Sequence, residues 1–230
     1  MAGWPATADE LVAAQLELAC AAPPPWHASG DVLAGGCFVC FGRGKRGAGA
    51  AGDPGWAGAA LADGPVAVVA GPAGAAYEPS LLALREGPLL EAAVRALSRP
   101  PEVLIVNATG RDHPRRAGLA LHLGAALGVP TIGVTHRPLA ASGAWPPDRR
   151  GASCALRLEG DQVGAWLRTR PGTRPLAVHP AWRTDTGTAI ELVLALTARR
   201  RTPEPLREAR RAARAARADA EGLRRLPSPE

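Results

Sequence analysis

The sequence predicts an α/β protein in which one mixed sheet carries helices on its faces. Three observations lead there. Val103, Leu104, Ile105 and Val106 form a continuous apolar run, as a strand covered on both faces requires. That run opens the stretch PEVLIVNATGRDHPRRAGLALHLGAALGVPTIGVTHR (101–137), which continues as a polar turn, an amphipathic helix and a second buried strand. Upstream, the apolar runs AGAALA and PVAVVA are joined by Asp63-Gly64, a strong hairpin signal.

Taken in order, residues 8–22 place Leu11, Val12, Leu16 and Leu18 at roughly helical spacing, with Thr7 or Asp9 available as a cap. A linker, PPPWHASGD, precedes a first strand in VLAGGCFVCF, which the Gly- and Arg-rich turn GRGKRG ends. With the hairpin this makes three antiparallel strands. The loop GPAGAAYEPS leads into a helix, SLLALREGPLLEAAVRALS, with Gly87 and Pro88 near its first turns, where a kink is expected. Beyond residue 137, CALRLEG, VGAWLRTR and RPLAVHP are strand candidates separated by turn signals, and TGTAIELVLALTARRR suits a helix packed on the sheet. Residues 203–230 differ from the rest: Arg207, Arg210, Arg211, Arg214 and Arg217 fall largely on one helical face, so a body over 1–202 and an Arg-rich helical tail over 203–230 are expected. The succession of three antiparallel strands, then helix, strand, helix and strand, describes a ribonuclease H-like α/β fold, a mixed sheet flanked by helices.

At 230 residues the chain can build one real core, and its net charge of +6 favours a polyanionic partner. Much of that charge is arginine in an Ala-, Gly- and Pro-rich chain, so composition alone does not name the partner. No long uninterrupted apolar run is present, and the N-terminus lacks the basic flank and apolar centre of a signal peptide, so a cytoplasmic protein that does not enter membranes is expected. Cys20, Cys37, Cys40 and Cys154 are too scattered for a disulfide framework. Cys37 and Cys40 form a C-x-x-C inside a strand pattern that sends their side chains to opposite faces, which favours buried free thiols over zinc.

Several segments carry a resemblance. AYEPSLLALREGPLLEA, GRDHPRRAGLALHLG, PTIGVTHRPL and the run from VGAWLRTRPGTRPLAVHP through TAIELVLALT to TPEPLREAR resemble, in order and spacing, the segments of the endonuclease V family, metal-dependent nucleases that cut nucleic acid near inosine-type lesions. The resemblance implies a site in which acidic side chains hold a divalent metal. Mg²⁺ there would neutralise the phosphate, lower the pKa of a bound water and align both, which needs hard oxygen ligands.

On that resemblance, the family's first carboxylate falls on Phe38, its Arg-Glu-Gly glutamate is kept as Glu86, the aspartate ending the next strand becomes Asn107, and a late histidine falls on Trp182. Glu86 alone keeps its residue, so Mg²⁺ binding is expected to be weak or absent. Asp31, Asp112, His179 and Asp185 lie close enough in sequence to be considered as substitutes, although Asp112 fits a helix cap better. The resemblance makes Tyr77 and Pro79 a wedge toward the lesion, with Ser80 where glycine is usual. Leu82, Gly110, His113 and Gly133 line or support a pocket for an extruded base. His136 replaces a lysine expected near phosphate, while Arg115 and Arg116 are candidate backbone contacts. His122 reads as a buried or interhelical histidine. The expected function is nucleic-acid binding, DNA or RNA, with impaired cleavage. An active endonuclease with rearranged ligands and a protein-interaction module with a protein partner are the alternatives.

Overall fold

A computed structural model describes residues 3–28, 30–42, 47–198 and 200–222. Most of the Gly- and Arg-rich turn at 42–47 and the end of the Arg-rich segment lie outside them. The elements run α1 (Ala8–Cys20), β1 (Ala34–Phe41), β2 (Pro54–Leu61), β3 (Val66–Pro72), α2 (Leu82–Arg95), β4 (Val103–Val106), α3 (Leu119–Leu127), β5 (Thr131–Thr135), β6 (Ser153–Leu158), β7 (Asp161–Leu167), β8 (Leu176–Pro180), α4 (Thr186–Ala195) and α5 (Glu204–Ala220).

They form one eight-stranded sheet ordered β3-β2-β1-β4-β5-β8-β7-β6. β1, β2 and β3 pair antiparallel, as the hairpin signal predicts, while β4 lies parallel to both β1 and β5. The mixed, helix-flanked sheet expected from the sequence is the fold observed. Thr7 caps α1 in a reciprocal capping box with Glu10. Among the described residues, no helix is long and apolar enough to cross a membrane.

Alternation along β1 divides the core. Cys37 packs with Leu90 and Ala93 of α2 and Leu121 of α3, whereas Phe38 faces the layer containing Val193 of α4 and Leu206 of α5. Cys37 and Cys40 are buried and not joined in a disulfide.

The helix after Thr202 is not a solvated tail. Leu206, Ala209 and Ala213 are fully buried, making a stripe at helical spacing. A Cβ on Gly36 would stand 2.4 Å from the Leu206 backbone nitrogen, so this glycine lets α5 lie directly on β1. The arginine face expected from composition is real, but it borders a buried seam. That packing carries α5 past the ends of β1 and β4.

Candidate nucleic-acid interface

Parallel pairing of β1, β4 and β5 brings their carboxyl ends to one edge, where ligands bind in open α/β sheets. Asn107 is the first residue beyond β4 and is exposed. Its Oδ1 accepts a hydrogen bond of 3.0 Å from Arg210 Nη2 of α5. The Arg210 guanidinium carbon lies 5.1 Å from the Phe38 ring centroid, and that of Arg214 lies 5.5 Å away, both within cation–π range. Phe38 and Asn107 therefore meet, as the resemblance implies, but through an arginine.

Trp182 is elsewhere. Its backbone N–H donates to Thr131 Oγ1 at the start of β5, and its carbonyl accepts from the Thr131 N–H. Thr131 pairs with Leu104, near the beginning of β4. The separation from Asn107 along the strands is about three residues, or ~10 Å. The expectation that Trp182 closes the site is corrected, because β8 runs antiparallel to β5 and delivers the residues after it to the opposite edge. Arg210 occupies the remaining place, and the signal for it was the spacing of Arg210 and Arg214 beside the Leu206–Ala209–Ala213 stripe.

Glu86 lies on α2, in the helix that packs against the Cys37 face of β1. It raises the pKa of the Cys37 thiol, after burial, and so belongs with the α2 side of β1. Burial pushes the Glu86 carboxyl up to about 7, opposed by the charge of Arg85. Arg85 is engaged by Asp53 and by the carbonyls of Ala50 and Ala75.

These donors do not fit a divalent metal. Asn107 brings an amide without charge, Phe38 brings nothing, and a guanidinium stands between them. Among the described residues, no three His, Cys, Asp or Glu side chains are grouped to hold a metal ion. Asp112, Asp185 and His179 are otherwise engaged. Asp112 is fully buried, and its carboxylate accepts from the N–H groups of Leu139, Ala140 and Ala141 at 2.7–2.8 Å. It fastens the loop after β5 instead of capping a helix, since α3 starts only at Leu119. Asp185 caps α4 through the Thr188 N–H. His179, wholly buried, donates from Nε2 to Thr135 Oγ1, because that hydroxyl is itself donated to the Arg137 carbonyl. Desolvation, countered by Asp112, lowers the His179 pKa to about 4.

Beside this edge lies a small cleft of about 70 Å³, lined by Tyr77, Pro79, Ser80, Leu82, Ala108 and His113 among others. Its floor hangs on one carbonyl. Ser80 O accepts from Gln15 Nε2, His113 Nε2 and Arg115 Nη2, each at 3.1 Å. The Arg115 N–H donates to His113 Nδ1, so His113 is neutral with its proton on Nε2, in keeping with a pKa lowered mainly by burial. Ser80 itself has φ of 67°, the left-handed region where glycine is at ease.

Gly110 and Gly133 shape the surroundings and do not line the cleft: a Cβ on Gly110 would meet the Pro180 carbonyl at 2.3 Å, and one on Gly133 the Ala108 carbonyl at 2.2 Å. Arg115 and Arg116, expected as backbone contacts, have internal partners instead. Arg115 joins Gln15 to Ser80, and Arg116 binds Glu159 and the Leu158 carbonyl of the β6–β7 hairpin. His122 is buried and stacks at 4.6 Å on Trp4, in the segment before α1. His136 lies at the surface, and its pKa is lowered first by partial desolvation of the ring and then by Arg201, Arg210 and Arg174. That ring of arginines was not anticipated, since its members are far apart in sequence.

Comparison with known proteins places the chain and its fold among proteins of one family. The family model for Endonuclease V matches residues 61–211. An endonuclease V of Nocardia farcinica is 47% identical over 152 residues, covering 65% of this chain and 66% of that one, so this match spans just under two thirds of the relative. One from Streptomyces coelicolor is 39% identical over 228 residues, covering 95% and 94%. The crystal structure of endonuclease V from Streptomyces avermitilis superposes with a TM-score of 0.85 at 36% identity, over 96% of this chain and 97% of that one. A more distant structure, endonuclease V of Ciona intestinalis with a 24mer DNA containing an inosine followed by a ribo-adenosine, has a TM-score of 0.71 at 19% identity, covers 94% and 98%, and speaks to the fold alone.

Proposed function

The chain belongs to the endonuclease V family, and from that premise we propose that it binds nucleic acid, at inosine-type lesions or in single strands, without efficient metal-dependent cleavage. One observation carries the reading: Arg210 donates to Asn107 and lies over the Phe38 ring, where phosphodiester hydrolysis by a hard cation needs carboxylates. A fixed positive charge there repels a second cation while still attracting phosphate.

Binding has separate support. Tyr77 is exposed at the mouth of the cleft, Pro79 lines it beside Tyr77, and a base turned out of its strand would enter between them and His113. The inosine-containing DNA bound by the Ciona protein is the substrate class to try first. A labelled deoxyinosine duplex and an inosine-containing RNA, incubated with Mg²⁺ and with Mn²⁺, should be retained in gel-shift assays and remain uncut. Cleavage with multiple turnover would overturn the reading.

A further inference from the structure

We propose that Arg174, Arg201, Arg210 and Arg214, grouped round His136 and Phe38, form a metal-free clamp for a phosphodiester of the nucleic-acid backbone. This rests on the proposed function and assigns the strand's anchorage to these four guanidinium groups.

The group is built from three separate parts of the chain. Arg210 and Arg214 stand one turn apart on α5 and both lie over Phe38. Arg201 precedes α5 and is held by the carbonyls of Arg174 and Pro175. Arg174 precedes β8 and covers the exposed Trp145 ring at 5.4 Å. Their mutual proximity is felt electrostatically. After burial, Arg214 and Arg201 lower the pKa of Arg210, Arg174 lowers that of Arg201, and Arg201, Arg210 and Arg174 all act on His136.

The cluster gathers four guanidinium groups without counter-charge. Arg85, Arg95, Arg116, Arg168, Arg207, Arg211 and Arg217 each face a carboxylate. Among the described residues, none of the four clamp arginines does, and Arg210 Nε is buried without a hydrogen-bond partner. Like charges gathered without neutralisation oppose folding, and an anion relieves that opposition. Guanidinium is suited to the task because its planar fork matches phosphate oxygens and it is less strongly hydrated than ammonium. Asn107 in the clamp adjoins Ala108 in the cleft wall, so a base in the cleft places its own strand's backbone beside these arginines.

The test is fluorescence anisotropy of a short labelled oligothymidylate with the full chain in EDTA, over a series of salt concentrations. Unaltered protein should bind without added metal, with affinity falling steeply as salt rises. Arg174→Ala/Arg214→Ala, both at exposed positions, should flatten the slope of log affinity against log salt by about 0.7 for each phosphate that the variant no longer neutralises. Arg210→Ala should weaken binding and Arg210→Lys should restore part of it. Arg95→Ala, which removes an ion-paired arginine at the end of α2, should leave the slope unchanged. Asn107→Asp should weaken binding in EDTA, since the new carboxylate competes with phosphate for Arg210. An unchanged slope in the double variant, or binding that requires Mg²⁺, overturns the clamp but leaves the proposed function standing. Failure of the unaltered chain to bind at all overturns both.

Discussion

Arg210 and Asn107, 103 positions apart, are joined by a 3.0 Å hydrogen bond at the carboxyl end of the parallel strands. The bond exists because Leu206, Ala209 and Ala213 seat α5 on the sheet and leave the adjacent stripe over Phe38. Restoring carboxylates alone should therefore fail. Phe38→Asp/Asn107→Asp should form ion pairs with Arg210 and show no Mg²⁺ binding by calorimetry. Adding Arg210→Ala should produce measurable affinity, since two carboxylates then face open space. Equal affinity with and without Arg210 would show that the guanidinium is not what excludes the cation.

Ser80 holds a left-handed backbone conformation while its carbonyl anchors three side chains. Ser80→Gly should raise the stability measured by denaturant unfolding by about 0.5–1 kcal/mol, because glycine adopts this conformation without steric penalty. His113→Ala should lower it and loosen the cleft, since Ser80 O loses a donor.

Tyr77 lies 45% exposed at the cleft mouth, outside the arginine cluster. Tyr77→Ala should reduce the preference for an inosine-containing over an ordinary strand and leave the salt slope alone, because stacking discriminates bases while phosphate contacts set the salt dependence. Competition binding at two salt concentrations separates these effects.

The pH dependence of stability should carry Glu86's mark. Its folded pKa is raised to about 7, so the folded chain holds a proton that the unfolded chain releases near 4.5. Stability from this group is full below about 4.5 and is lost as pH rises through 7. Glu86→Gln should remove that loss, making the variant gain on the parent between pH 5 and 8. His122 and His179, both lowered to about 4, act in the opposite sense and draw stability down as pH falls from 6.5 toward 4.

Leu206 has no exposed surface. Leu206→Ala should cost about 2–5 kcal/mol, and removal of everything after Thr202 should unfold the chain, neither of which a solvated tail would do.

The sheet was legible because its strands announce themselves locally: a fully apolar run at 103–106, a hairpin at Asp63-Gly64, and polar turns between the late strands. The cleft was legible for a similar reason. Tyr77, Pro79, Leu82 and His113 sit in short motifs whose order the resemblance fixes, and they converge. What escaped depended on direction and distance. Nothing in AVHPAWR says that β8 runs antiparallel to β5, so Trp182 could not be placed at the far edge. The seven arginines between Arg200 and Arg217 masked a stripe of only one leucine and two alanines, which suffices because Gly36 opposite lacks a side chain. Asp112 resembled a cap because three backbone N–H groups that it satisfies come from a loop far along the chain.

Incubation of the purified chain with an end-labelled deoxyinosine duplex and with inosine RNA, in Mg²⁺ and in Mn²⁺, followed by resolution of bound, free and cut strands, confronts the reading most directly. Retention of both substrates at low salt with strands intact is the expected result. A metal-dependent product that accumulates over several turnovers, and disappears in Glu86→Ala, would contradict it.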